Sequence, residues 1–137
     1  MTPVLLDTGV IVALLDQSEK FHAQCVEVVA ALEQPLVTCE AVIVESCYLL
    51  RRVRGAPEFV LANVENGAFQ LPLKLSDSIG AIKALMHKYR DLPADLADAC
   101  LIHMADLLDT PDVLTLDKHF RAYRWRRNRS FEMLIQL

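Results

Sequence analysis

Short apolar runs alternate with longer segments of helical periodicity along the whole chain, and this alternation restricts the possible folds more than any other feature. Predicted strands cover residues 4–6, 36–38, 69–71 and 113–116, with a candidate edge strand over 131–135. Predicted helices cover residues 9–16, 19–33, 40–54, 57–66, 76–89 and 95–108. Strands separated by helices favour an α/β fold with a mainly parallel sheet of about four to five strands.

The length and composition predict one domain, residues 1–137, with a single core. The apolar fraction is 53%, yet no uncharged run approaches the roughly 20 residues of a membrane span. No basic segment precedes the N-terminal apolar run, so we expect neither a signal peptide nor membrane attachment. The four cysteines form no C-x-x-C pair. They are expected to be reduced thiols of a cytoplasmic protein, with a disulfide or redox role as the alternative.

Four acids occur where apolar segments meet polar turns: Asp7, Glu45, Asp98 and Asp117. Two follow predicted strands and two fall near the beginnings of predicted helices, and in a parallel sheet these positions meet at the carboxyl edge. A carboxylate there loses hydration and needs a partner, yet no Lys or Arg lies close in sequence to the first three. The pattern predicts a catalytic site in which the acids hold a hard divalent cation, Mg²⁺ or Mn²⁺.

Three residues near these acids are further candidates for the site. Thr8 and Thr115 each lie within two residues of an acid at a strand end, and a hydroxyl can orient a carboxylate, a water or a phosphate oxygen. Thr115 is equally typical of a strand interior. Asp95 lies three residues before Asp98, on nearly the same helical face. It is either a further metal ligand or the cap of that helix, and the sequence leaves both open.

A basic strip follows the last acid. Six of the 14 Lys and Arg residues fall within residues 118–129, which contain no acid, while the remaining chain holds all 18 acids. They are Lys118, Arg121, Arg124, Arg126, Arg127 and Arg129. This asymmetry predicts binding of a polyanion such as RNA beside the metal site, with a solvated loop as the alternative. Phe120, Tyr123 and Trp125 interleave with the strip, so a base could stack there. The alternative is that Phe120 and Trp125 are core residues that anchor the loop.

Other function classes have less support. The chain contains no G-x-x-x-x-G-K-[ST], G-x-G-x-x-G or G-x-S-x-G pattern. A phosphatase with Asp7 as its nucleophile would usually carry a second acid two residues later, where this chain has Gly9. A non-catalytic module that binds RNA or a protein is the remaining alternative.

Four short segments together resemble the PIN domain family, and especially the VapC-like toxin ribonucleases of prokaryotic type II toxin–antitoxin pairs. They are LLDTG at 5–9, VESCYLL at 44–50, DLPADLADA at 91–99 and LTLDKHF at 114–120. They follow the family's order and span nearly the whole chain. Each segment is short, so the resemblance rests on the set.

The resemblance implies a three-layer α/β/α fold and endonucleolytic hydrolysis of RNA that depends on Mg²⁺ or Mn²⁺. It maps the acidic site onto Asp7, Glu45, Asp98 and Asp117. It also supports Asp95 as a further acid of the site. Relatives of this kind commonly form homodimers and are blocked by a cognate antitoxin protein. The high apolar content is compatible with both partners. Other PIN proteins act in RNA maturation or decay, and that alternative stays open.

Overall fold

Seven short strands and six α-helices form the fold, which a computed structural model describes over all 137 residues. The strands are β1 (Val4–Leu6), β2 (Leu36–Val37), β3 (Phe69–Gln70), β4 (Asp112–Leu114), β5 (Arg124–Trp125), β6 (Arg129–Ser130) and β7 (Glu132–Met133). The helices are α1 (Thr8–Leu15), α2 (His22–Ala31), α3 (Glu40–Leu49), α4 (Ala56–Glu65), α5 (Ile79–Lys88) and α6 (Leu96–Leu108). Two 3-10 turns cover Leu75–Asp77 and Lys118–Arg121.

Five of the strands form one sheet in the order β3-β2-β1-β4-β7, and every neighbouring pair is parallel. Helices pack on the sheet in a three-layer α/β/α arrangement, so the central strand β1 is buried on both faces and consists only of Val and Leu. The predicted fold class is confirmed. Because all five strands run in one direction, their carboxyl ends share one edge.

Several element boundaries differ from the prediction. α2 begins at His22 instead of residue 19, because Ser18 turns back and donates from its backbone N–H and its hydroxyl to Asp16 Oδ1 (3.0 and 2.6 Å). α3 ends at Leu49 instead of residue 54, since Leu50 is fully buried where the chain turns. The candidate edge strand over 131–135 is present as the shorter β7, paired with β4.

The segment between β4 and β7 has structure that the sequence does not predict. β5 and β6 pair antiparallel as a hairpin, with Trp125 opposite Arg129. The sequence does not predict this hairpin, because its turn contains no glycine and its strands have only two residues each.

A cluster of 34 buried apolar residues forms the core. α6 contributes the most from any helix, with seven of its 13 residues buried. Its apolar side chains face α3, α5 and the sheet, which fixes the N-terminal turn of α6 at the carboxyl edge. None of the helices is long and apolar enough to cross a membrane.

Two leucines of α6 test how much the core depends on this helix. Leu101 is fully buried, whereas Leu107 is 57% exposed on the same helix. We expect Leu101→Ala to lower the free energy of unfolding by about 2–5 kcal/mol, because it removes packing and leaves a cavity. Leu107→Ala should change it by less than about 1 kcal/mol. Urea unfolding measures both, and equal losses would contradict the assigned burial.

Candidate active site

Six carboxylates line one cavity at the carboxyl edge of the sheet. They belong to Asp7, Glu19, Glu45, Asp95, Asp98 and Asp117. The cavity has a volume of about 420 Å³, and no Lys or Arg lines it. The fold therefore brings together all four acids that the sequence analysis selected, and Asp95 with them. Glu19 was not predicted, since an exposed acid in the turn between α1 and α2 carries no signal in the sequence.

Asp7 is the most deeply buried of these acids, with 8% of its surface exposed. It follows β1 directly and caps α1, where its Oδ1 accepts a hydrogen bond from the Thr8 N–H at 2.8 Å. Its Oδ2 accepts a second bond from the Thr115 hydroxyl at 2.7 Å. Loss of hydration on burial raises the pKa of Asp7 to about 6, and the two hydrogen bonds only partly offset this effect.

Thr115 connects two of the acids. Its fully buried hydroxyl donates to Asp7 and accepts from the Asp117 N–H at 3.0 Å. Asp117 in turn caps the 3-10 turn that follows β4, with its Oδ1 accepting from the His119 N–H at 2.9 Å. The His119 Nδ1 lies 3.2 Å from the same oxygen. Thr115 thus has the orienting contacts that its position suggested, and both carboxylates are fixed at the strand ends.

Asp95 and Asp98 form the N-terminal cap of α6. Asp95 Oδ1 accepts from the Asp98 N–H at 2.9 Å, and Asp98 Oδ2 accepts from the Asp95 N–H at 3.2 Å. This reciprocal pair is a capping box. Of the two interpretations of Asp95, the helix cap is therefore present. Because the carboxylate also lines the cavity, capping does not preclude contact with an ion.

Asp98 is surrounded by negative charge. Loss of hydration, together with the neighbouring carboxylates of Asp95 and Asp7, raises the pKa of Asp98 to about 7, although the hydrogen bond from the Asp95 N–H lowers it in part. The Tyr123 hydroxyl donates to Asp98 Oδ2 at 3.4 Å, and burial together with Asp98 raises the pKa of this phenol above its ordinary value. The sequence suggests only a stacking role for Tyr123, since nothing local links this residue to an acid 25 residues earlier.

The carboxylate oxygens suit a hard divalent cation, but the side chains do not lie close enough together to coordinate one ion. No group of three or more Asp, Glu, His or Cys side chains is placed to hold a metal ion together. Side chains must therefore rotate to bind one. Glu45 is free to do so, because it is exposed on α3.

The Thr8 hydroxyl is a buried polar group without a hydrogen-bond partner in the protein. Thr8 is 4% exposed and lines the cavity, yet its Oγ1 has no hydrogen-bond partner. An unpaired buried hydroxyl costs about 1–3 kcal/mol. A rotation of the side chain would bring it to a water or an oxyanion in the cavity. The carboxylate oxygens, which repel one another, and this unpaired hydroxyl fit a hydrated divalent cation.

The basic strip does not lie beside the acids as one patch. Lys118 and Arg121 are in the 3-10 turn next to Asp117, whereas Arg126 contacts the opposite end of α6. Its N–H donates to Asp106 Oδ1 at 2.6 Å, and its guanidinium pairs with Asp109 at 3.2 Å. The predicted position of the whole strip beside the acids is therefore wrong for its second half.

The aromatic residues of the strip are core residues. Phe120 and Tyr123 are fully buried, and Trp125 is 5% exposed. Phe120 and Tyr123 pack edge to face with their centroids 5.0 Å apart. Of the two predicted roles, anchoring the loop is correct and base stacking is wrong, since a buried ring cannot present its face to a base.

The fold and the acidic edge agree with the comparison to protein families. The PIN domain model matches residues 4–126, so the chain belongs to the PIN domain family. The predicted resemblance is confirmed.

Within this family the chain is similar to VapC proteins. It is 32% identical to Ribonuclease VapC26 of Mycobacterium tuberculosis (strain ATCC 25618 / H37Rv) over 124 residues, which cover 88% of this chain and 92% of that relative. The crystal structure of Mycobacterium tuberculosis VapC20, described as a sarcin-ricin loop cleaving toxin, has the same fold with a TM-score of 0.80. That likeness covers 92% of this chain and 98% of the other at 17% identity.

The raised pKa values of Asp7 and Asp98 predict the pH dependence of the metal-free protein. Because both carboxyls bind protons more tightly when folded, the folded state holds more protons than the unfolded state between pH 4 and 7. Stability should therefore fall as pH rises through this range. Asp98→Asn should raise the free energy of unfolding at pH 8 by on the order of 1 kcal/mol, with no gain at pH 4. Thermal unfolding in EDTA measures this, and a destabilised variant at pH 8 would refute it.

Substitution of Thr115 tests the link between Asp7 and Asp117. Thr115→Val keeps the shape but leaves the Asp7 Oδ2 and the Asp117 N–H without their partner. We expect a loss of about 1–3 kcal/mol in unfolding free energy and about tenfold weaker Mn²⁺ binding. Thr115→Ser restores the hydroxyl and should recover most of both. If calorimetry gives the Thr115→Val and Thr115→Ser proteins the same affinity for Mn²⁺, the hydroxyl does not position the acids.

Proposed function

We propose that the chain is a metal-dependent endoribonuclease that hydrolyses RNA phosphodiester bonds as the toxin of a toxin–antitoxin pair, acting as one nuclease domain over residues 1–137. The observation that carries this proposal is the cavity built around the buried Asp7, which six carboxylates and no Lys or Arg line. The similarity to Ribonuclease VapC26 supports the choice of RNA as the substrate.

The proposed cofactor is Mg²⁺ or Mn²⁺, held by Asp7, Glu45, Asp98 and Asp117, with Asp95 as a further ligand. When bound, such an ion lowers the pKa of a coordinated water and neutralises charge that develops on the scissile phosphate. The oxygen-only donor set favours these hard ions over zinc, which usually takes nitrogen or sulfur ligands.

The side chains of this site differ in mobility, and their proposed roles differ accordingly. Asp7 and Asp117 are fixed through Thr115, so they set the position of the reaction relative to the sheet. Glu45 is exposed and can close on an ion from α3. The unpaired Thr8 hydroxyl can donate to a phosphate oxygen in the cavity. Groups held in place, as Asp7 and Asp117 are, lower the barrier to hydrolysis because they need little rearrangement during the reaction.

The basic residues supply the attraction that the acidic cavity lacks. Without counter-charge, six carboxylates repel a phosphate chain. The proposed RNA-binding residues are Lys118, Arg121, Arg124, Arg126, Arg127 and Arg129. The first two lie in the 3-10 turn that Asp117 caps. Salt should weaken RNA binding strongly if these contacts carry it.

An apolar groove supports the proposed protein partners. It has a volume of about 610 Å³, lies between α3 and α6, and shares Glu45 and Asp95 with the acidic cavity. Val44 and Tyr48 on its rim are more than half exposed. An exposed apolar surface of this kind fits an antitoxin or a second copy in a homodimer. A cytoplasmic location belongs to the same proposal.

Calorimetry and RNA cleavage test the proposed activity together. Asp98→Asn should weaken Mn²⁺ binding at least about tenfold, because it removes a charged ligand, and should lower the rate of RNA cleavage by about two orders of magnitude. Asp91→Asn is the matched control, since it makes the same change at an exposed position outside the cavity. It should retain both properties. Undiminished cleavage by folded Asp98→Asn would refute the proposed site. RNA binding without metal-dependent cleavage in the wild type would favour the interaction module.

A further inference from the structure

The hairpin formed by β5 and β6 lies along α6 and ends far from the acids. Tyr123, just before β5, contacts Asp98 near the beginning of α6. Arg126, just after β5, contacts Asp106 and Asp109 at the end of the same helix. Asp98 and Asp106 are eight residues apart, which corresponds to about 12 Å along the axis. The tip of the hairpin therefore projects a separate positive charge well beyond the cavity.

The backbone of the tip is in an unfavourable conformation. Arg126 and Arg127 both have positive φ angles, of 44° and 71°. Glycine, asparagine and aspartate adopt this left-handed region most readily, and arginine has no such preference. Asn128, which would suit it, comes one residue too late. Strained residues persist where the surrounding structure holds them, and they are frequent at functional sites.

The neighbouring arginines of the tip have different surroundings. Arg126 is the anchor, since both its backbone and its guanidinium bind the end of α6. Its guanidinium also lies 5.6 Å from the centroid of the Trp125 ring, and that of Arg129 lies 5.2 Å away. Arg127 is exposed and forms no ion pair. The anchored hairpin thus holds Arg127 and Arg129 in place with their charge free for a ligand.

We propose that this hairpin tip, through Arg127 and Arg129, is a second RNA-binding site that contacts phosphates away from the bond that is cut. The inference rests on the proposed ribonuclease function. A stacked strand has one phosphate per about 3.4 Å, so about 12 Å corresponds to three or four phosphates. The tip would then select RNA that extends at least about four nucleotides beyond the scissile bond on one side. Shorter fragments would reach the acids without reaching the tip.

Arg127→Gly distinguishes an effect on RNA binding from an effect on folding, because it should lower the affinity for RNA while it raises the stability of the fold. Glycine relieves the positive φ, so the melting temperature should rise by about 3 °C. The loss of one phosphate contact should weaken binding of a 12-nucleotide single-stranded RNA about three- to tenfold and reduce the salt slope by about 0.7. The titration is done in the Asp98→Asn background, in which cleavage should be about a hundredfold slower. Binding of a three-nucleotide RNA should not change.

Two controls identify the cause of any loss. Arg54→Ala removes the same charge from an exposed position in the turn between α3 and α4 and should leave binding of the 12-nucleotide RNA unchanged. Arg127→Lys retains the charge and should restore most of the affinity and the salt slope. In the otherwise wild-type protein, Arg127→Gly should raise KM for long RNA while kcat stays the same.

The outcomes separate this inference from the proposed function. If the wild type cleaves RNA and Arg127→Gly binds the 12-nucleotide RNA with unchanged affinity and salt slope, the second site is refuted alone. An equal loss in Arg54→Ala also refutes it, because the effect is then one of net charge. If Asp98→Asn with an intact tip binds no RNA and the wild type cleaves none, both proposals fail.

Discussion

The burial of the Asp7 carboxylate is the constraint on which the rest of the site depends. A charged group that is 8% exposed at the end of the central strand needs hydrogen bonds, and it receives them from the Thr8 N–H and the Thr115 hydroxyl. The second bond joins β1 to the end of β4 and, through the Asp117 N–H, positions a further acid. No basic side chain lines the cavity to balance this charge. The same interactions that order the sheet edge therefore concentrate negative charge there without a basic partner.

Charge is separated along α6. Its N-terminal turn holds Asp95 and Asp98 in a capping box beside the cavity, while its C-terminal end binds the basic hairpin through Asp106 and Asp109. An acid at a helix N-terminus is favoured by the helix dipole, but the raised pKa of Asp98 shows that burial and neighbouring carboxylates outweigh it here. A polyanion approaching this surface meets attraction at the hairpin and repulsion at the cavity. A bound divalent cation would reduce the negative charge of the second region.

The predicted elements that the structure confirms depend on local patterns. The apolar runs at β1 and β4 are strands because buried parallel strands need continuous apolar residues, and the intervening helices follow from their spacing. The elements that were missed depend on particular contacts. Ser18 bonds Asp16 instead of capping α2, and the β5–β6 hairpin forms because Arg126 docks on α6. The spacing of apolar residues predicts neither feature, because the local sequence is also compatible with the alternative conformation, a longer helix or an irregular loop.

The sequence by itself determined the α/β fold, the family and the approximate position of the acids, because strand direction alone brings the ends of parallel strands to one edge. Only the tertiary structure decided which side chains surround each acid. Glu19 and Tyr123 join the site from elements distant in sequence, and Phe120 and Trp125 are withdrawn into the core. The basic strip is divided between the two ends of α6 for the same reason. Burial and hydrogen bonding are set by neighbours from the whole chain, and local composition does not encode them.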